Sequence, residues 1–271
     1  MSAFHFKQGR LPLLISMPHV GTRIPDSVLA QLNPVAQIKA DTDWHLPELY
    51  NMLDDLGVSR IHAEYSRYVI DLNRPCDDVN LYPGQDTTGL CPIDTFAKEA
   101  LYPVGKTPDA AEVERRIQAY WLPYHQQLQN ELQRMQQEFG MAILWDAHSI
   151  ASHVPRFFAG RLPDLNFGTA DQKSCDLGLQ EALAQCLQNS TAAQAYTHVF
   201  NGRFKGGHIT RHYGQPQNNI HAVQLEMSQC VYMNEEAPFA YREDLAAQVQ
   251  PVLRELLQTC LNWAQQRGVN V

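Results

Sequence analysis

The 271-residue chain predicts an α/β protein, a central sheet covered by helices on both faces and folded as a single domain over residues 1–271. Short buried apolar runs alternate with longer stretches of helical periodicity, the pattern of strands spaced by helices. No repeat, low-complexity tract or linker interrupts them. Polar clusters stand where four of the predicted strands end, and open α/β sheets gather their sites at the carboxyl ends of strands.

Leu11 to Met17 is a buried-strand candidate that ends at Pro18-His19-Val20-Gly21. Asp26 is placed to cap a short helix through Leu29 and Leu32, closed by Pro34. Leu46, Leu49, Leu53 and Leu56 repeat at helical spacing before Gly57, predicting one helix over 46–56. Val58 to Ala63 and Tyr68 to Leu72 read as strands. A long loop rich in Pro, Gly, Asp and Thr runs from Arg74 to about Pro108, and loops of that length in compact domains are usually functional or disordered. Its Cys, Tyr and Phe residues suit an ordered cover near a site.

Ala110 to Phe139 is helical, with Val113, Ile117, Tyr120, Tyr124, Leu128, Leu132, Met135 and Phe139 on one stripe and Pro123 set to kink or split it. Met141 to Trp145 is the clearest buried strand and leads into Asp146-Ala147-His148-Ser149. Gln172 to Leu187 reads as a helix, and Ile220 to Met227 as an alternating strand. Tyr241 to Trp263 closes the chain as an amphipathic helix that Pro251 should distort.

Composition narrows the function. Twenty-one Lys and Arg against twenty-nine Asp and Glu give a net charge of -8. Without a long basic run, such a chain is not expected to bind nucleic acid, which needs clustered Lys and Arg. Apolar runs fall far short of the roughly 18 residues that a membrane helix needs, so no membrane partner is expected. The start of the chain lacks a signal-peptide pattern, and its six cysteines are scattered without a CxxC pair, which together predict reduced thiols and a cytoplasmic protein.

The chemistry-bearing residues sit at the strand ends. Asp146 and His148 share one side of an extended chain, so Asp146 can hold the His148 ring from behind, as outer partners of metal-binding histidines do. His19 lies between Pro18 and Gly21, where glycine permits a tight turn. Two imidazoles, a carboxylate and an open position are the usual recipe for hydrolytic zinc, with Asp41 and Asp43 as carboxylate candidates. Asp43 serves equally well as an N-cap for the following helix. Glu226, inside Val223-Gln224-Leu225-Glu226-Met227, is either a half-buried general base of raised pKa or a surface-facing strand residue. Arg67, Asn73 and Arg74 offer donors for a carboxylate. Lys205 to Gly214 reads as a glycine-hinged loop that brings His208 and Arg211 onto an anion, or as a plain polar surface loop.

As an ordered set, these motifs resemble the N-formylglutamate amidohydrolase family. The resemblance rests on Leu13 to Gly21, Ala40-Asp41-Thr42-Asp43-Trp44, Tyr68 to Pro75, Trp145-Asp146-Ala147-His148-Ser149, Gly206 to Arg211 and Gln224 to Ser228. The family is similar, at a distance, to zinc carboxypeptidases and aspartoacylases. The resemblance implies a three-layer domain of the zinc-carboxypeptidase/phosphorylase-hydrolase-like kind, with a mixed central β-sheet flanked by helices. It also implies hydrolysis of N-formyl-L-glutamate to L-glutamate and formate, the last step of one route of bacterial histidine degradation.

By the same resemblance, His148 is a zinc ligand with Asp146 behind it, Asn73 and Arg74 grip a substrate carboxylate, and Glu226 activates the attacking water. The distant relatives take two ligands from a His-x-x-Glu unit, whereas Thr22 stands three residues after His19. Either Asp43 takes over the glutamate's role or the site is built differently. The expected set is therefore Zn²⁺, or another divalent transition metal, on His19, Asp43 and His148, with Glu226 as base and Arg67, Asn73, Arg74, His208 and Arg211 around the substrate. The same residues suit a deacylase of another N-acyl amino acid, or a non-catalytic metal- or anion-binding protein.

Overall fold

The computed structural model describes residues 2–81 and 83–269. Its axis is the strand Ala142–Ile150, in which every residue is buried. Among the described residues the strands are β1 (Phe4–Lys7), β2 (Leu13–Met17), β3 (Ser59–Ala63), β4 (Ala142–Ile150), β5 (Leu165–Gly168), β6 (His198–Phe200) and β7 (Ile220–Ser228). They form one sheet in the order β1-β3-β2-β4-β7-β5-β6. β3, β2, β4 and β7 run parallel. β1 and β5 are antiparallel to β3 and β7, and β6 lies parallel to β5, so the sheet is mixed.

The helices are α1 (Asp26–Leu29), α2 (Leu46–Leu49), α3 (Leu53–Leu56), α4 (Ala110–Arg116), α5 (Leu122–Phe139), α6 (Leu177–Asn189), α7 (His208–Tyr213) and α8 (Glu243–Gln266). Strand alternation divides the core in two. Ile143, Trp145, Val223 and Leu225 pack with α2, α3, α6 and α8, whereas Leu144, Ala222 and Leu14 pack with α5 and α7 on the opposite face. Each leucine fully buried in this way stabilises the fold by roughly 1.5–3 kcal/mol. A sheet sandwiched between two helical layers is the three-layer arrangement expected.

Several elements differ from the sequence expectation. Tyr68 to Leu72 forms turns, because Tyr68, Val69, Ile70 and Leu72 are all buried without alternation and their backbone bonds are local or reach the Leu90 carbonyl. The helix expected over 46–56 breaks at Tyr50, whose buried hydroxyl accepts a hydrogen bond from Trp145 Nε1 at 3.0 Å. Gly57 closes α3 in the left-handed region at φ 69°. The long helix divides ahead of Pro123 through a π-helical turn at Ile117–Trp121, which lets Trp121 Nε1 donate to the Arg74 carbonyl at 2.9 Å. α6 starts five residues later than expected, since residues 170–172 have positive φ and Asp176 caps Gly178 N. α8 continues through Pro251. The short β1, β5, β6 and α7 had too few residues for a readable period.

His19 is held close to the sheet edge by the turn after β2. A Cβ built on Gly21 would overlap the Tyr65 backbone, and Arg23 pairs with Glu64 and Ser66 immediately beyond it. Gly21→Ala is therefore expected to lower the unfolding free energy by about 2 kcal/mol, read by urea denaturation. A loss below about 0.5 kcal/mol would show that the turn relaxes freely.

Candidate active site

Strand parity assembles the first wall. Asp146 and His148 on β4 stand beside Gln224 and Glu226 on β7 in register, and alternation turns all four toward the α5–α7 face. His19 follows β2, the neighbour of β4 on the other side. Asp43 precedes α2 and is buried. It does not cap that helix: the N-cap residue is His45, and no side chain bonds the first turn. Its Oδ2 instead accepts from the Ser149 backbone N–H at 3.2 Å.

The two histidines meet through Nδ1, 3.1 Å apart, with Asp43 Oδ2 3.2 Å from His148 Nδ1 and 3.7 Å from His19 Nδ1. One donor atom from each of the three residues lies within 4.8 Å of the others. The far ring nitrogens face carboxylates: His19 Nε2 is 2.7 Å from Asp71 Oδ1, and His148 Nε2 is 3.1 Å from Asp146 Oδ2. A carboxylate only accepts, so each Nε2 carries a proton; the two Nδ1 atoms face Asp43 and each other, and once free of a proton they would present their lone pairs to one common centre. This donor set fits a divalent cation such as Zn²⁺. Asp41, the other carboxylate candidate, faces away and accepts from Phe96 N at 2.9 Å.

Electrostatics follow from burial. Burial works against ionisation of Asp43, yet hydrogen bonds and charge from His148 and His19 hold it below the ordinary carboxylate range. The Asp71 carboxyl is also buried, and Arg67 and His19 keep it far below that range. Burial likewise disfavours charge on His148, but Asp146 and Asp43 raise it well above an ordinary histidine. Glu226 is 8% exposed, and burial pushes its carboxyl up to about 8.

A cavity opens on this cluster, with His19, His148, Glu226, Asn73, Arg67 and Arg74 in its wall. Arg67 is largely committed within the protein: Nη2 donates to Asp71 at 2.6 Å, Nη1 lies 3.9 Å from Asp43, and the guanidinium covers Phe96. Asn73 Oδ1 accepts from Ile209 N at 2.8 Å, and Nδ2 approaches His148 Nε2 at 3.0 Å and Asp146 at 3.5 Å. The amide thus packs beside His148 and donates to Asp146 besides facing the cavity. Gly207 makes this possible, because a Cβ there would overlap the Asn73 carboxamide. The Arg74 guanidinium forms no ion pair among the described residues.

His208 and Arg211 do not line the cavity, contrary to the sequence expectation. Their segment is the helix α7, whose period turns Ile209, Thr210 and Tyr213 into the core. His208 packs among Trp121, His125 and His212, where burial pushes its pKa down to about 4. Arg211 Nε donates to Gly206 O at 2.8 Å. Sequence reasoning missed Asp71, although it stands in the strand-end cluster Asp71-Leu72-Asn73-Arg74, and Gln224, which alternation puts two residues before Glu226. It also missed Arg203, Phe96 and Phe157 in the wall, which no local pattern marks.

Residues 11–233 match the family model described as N-formylglutamate amidohydrolase. The chain is 55% identical over 263 residues to the N-formylglutamate deformylases of Pseudomonas aeruginosa and Pseudomonas putida, covering 97% of this chain and 97% of each relative. Its fold is similar to the crystal structure of N-formylglutamate amidohydrolase from Ralstonia eutropha JMP134, with a TM-score of 0.81 at 25% identity over 99% of this chain and 100% of that one. A gene product of Agrobacterium tumefaciens shares the fold, with a TM-score of 0.72 at 17% identity over 98% of this chain and 97% of that one.

The raised Glu226 carboxyl has a stability signature. Folding favours its protonated form, so this contribution is complete below the ordinary value of 4.5 and is lost as pH rises through about 8. Glu226→Gln in metal-free protein should therefore be more stable than wild type at pH 9, by roughly 1–3 kcal/mol. The gap should close near pH 4.5, which thermal unfolding at the two pH values tests; equal Tm values at pH 9 would contradict the burial.

Proposed function

The chain belongs to the N-formylglutamate amidohydrolase family, and from that premise we propose that it hydrolyses N-formyl-L-glutamate to L-glutamate and formate with a divalent metal ion, Zn²⁺ in the first place, held by His19, Asp43 and His148. The observation that carries this reading is the convergence of two imidazole Nδ1 atoms and a carboxylate, each imidazole backed by a second carboxylate, beside a buried glutamate in one cavity. Bound there, the cation supplies Lewis acidity toward the formyl oxygen and lowers the pKa of water; Mn, Fe or Co also suit such a donor set.

The chain's own residues do the remaining work. Glu226 takes a proton from the water that attacks the formyl carbon, and returns it to the amine nitrogen as the C–N bond breaks. A carboxyl whose affinity for protons lies near neutrality suits both directions of transfer. Asp71 and Asp146 keep the histidine rings in one tautomer and orientation. Arg74 meets the substrate's α-carboxylate with a planar fork, and Asn73, which packs beside His148, also presents its amide to the cavity. The cytoplasm and histidine degradation are the setting proposed for the reaction. No helix among the described residues is long and apolar enough to cross a membrane.

Formate release from N-formyl-L-glutamate tests the reading directly, with N-acetyl and N-succinyl glutamate as rivals; faster cleavage of a larger acyl group would reassign the substrate. Chelation should abolish turnover and a divalent metal restore it, whereas full activity in metal-free protein would remove the metal from the mechanism. Glu226→Gln should retain metal and substrate but lose about 100-fold or more in kcat. A loss under about tenfold, roughly 1.4 kcal/mol, would mean that Glu226 is not the base.

A further inference from the structure

The proposed substrate carries two carboxylates, and three arginines line the cavity: Arg67, Arg74 and Arg203. Arg67 is the poorest partner for substrate. Its 2.6 Å pair with Asp71 compensates a fully buried carboxylate that itself holds His19, and turning it outward would strand that charge. Arg74 belongs to the reacting end. It follows Asn73, whose amide reaches His148, and its charge acts on Asp71. It therefore suits the α-carboxylate, which neighbours the scissile amide.

Arg203 comes from the opposite end of the wall, in the segment between β6 and α7. Its Nε donates to the Phe157 carbonyl at 2.6 Å, and its guanidinium lies 5.9 Å from the Phe157 ring and 5.4 Å from the Phe204 ring. Phe157 packs on Phe96, centroids 4.9 Å apart, and Phe96 carries Arg67 at 4.8 Å. The wall thus runs Arg67, Phe96, Phe157, Arg203, from the histidine cluster outward. Stacking and the Nε bond fix the plane of the guanidinium, so little rotamer freedom is lost when a carboxylate meets it.

We propose that Arg203 is the specificity-determining residue for the substrate's side-chain carboxylate, a role that rests on the cavity being an N-formylglutamate site. The glutamyl side chain extends along the Phe96–Phe157 wall, its methylenes against the rings, and ends in a bidentate pair with Arg203. A neutral analogue cannot form that ion pair, and an interaction made with only one of two substrates separates their kcat/KM values. Arg203 acts on which N-formyl amino acid enters, not on the acyl group or on the bond-breaking step.

The test compares N-formyl-L-glutamate with N-formyl-L-glutamine for wild type, Arg203→Met and Arg203→Lys. Arg203→Met should lose on the order of 10–100-fold in kcat/KM for N-formylglutamate, mainly through KM, and change by less than about threefold for N-formylglutamine. Arg203→Lys, which keeps the charge without the fork, should fall between. Where N-formylglutamine turnover is too slow to measure, inhibition by L-glutamate against L-glutamine gives the same comparison. Equal losses on both compounds would reduce Arg203 to a structural part of the wall, and unchanged selectivity would refute the assignment. Wild-type protein that cleaves neither compound would overturn the underlying function, and the assignment with it, before any variant is examined.

Discussion

The site depends on how buried charges are compensated. Asp43, Asp71 and Asp146 are at most 1% exposed, and His19, His148 and Arg67 at most 9%. Groups so far from water are tolerated only when paired and hydrogen-bonded. Each carboxylate has a partner: Asp71 joins Arg67 to His19, Asp146 meets His148 through Oδ2 while its Oδ1 is unpartnered among the described residues, and Asp43 receives the Ser149 amide and faces both imidazoles. With neutral histidines, three aspartates against one arginine leave two negative charges. The proposed divalent cation balances that charge at the one point where both Nδ1 atoms and Asp43 converge. The same carboxylates, Asp146 and Asp43, favour a proton on His148 against its burial.

The sheet supplies the rigidity that this balance requires. β4 is buried on both faces along all nine residues, flanked by β2 and β7 in parallel register. A slip of one residue between β4 and β7 would turn Glu226 away from His148 and put Leu225 in its place. Such a slip would also bury the Glu226 carboxylate in the face formed by Ile143, Trp145 and Val223. The hydrophobic pattern that folds the sheet therefore also sets the position of the proposed base. α7 reinforces the same wall from outside: Ile209 N fixes the Asn73 carboxamide, while Gly207 N fixes Gln224.

The sheet and the reacting residues were legible in sequence for one physical reason. His19, His148 and Glu226 follow or interrupt apolar runs, so periodicity locates their strands and topology gathers the strand ends. Asp43 remained tied with a capping role until its carboxylate was seen to face the histidines. What was illegible depended on side chains meeting across loops. Tyr68 to Leu72 reads as a strand because it is apolar, yet it is buried as turns that deliver Asp71 and Arg67 together. His208 and Arg211 attracted attention as basic residues beside glycines, but six residues of helix are too few to announce which side faces inward. Arg203 lies in a loop, and its partner Phe157 is distant in sequence.

The same contrast between local and global order resolves the protein's charge. At -8, the molecule as a whole repels a dianion. That repulsion acts through water and is screened over about 8 Å at physiological ionic strength, so it bears mainly on the approach. Inside the cavity the relevant charges are few and close, and the low dielectric strengthens each of them. Asp71 absorbs Arg67, while Arg74 and Arg203 line the same cavity from different segments of the chain. The proposed dicarboxylate would thus be met by discrete guanidiniums rather than by a diffuse positive surface. Recognition would then depend on the spacing between its charges as well as on their number.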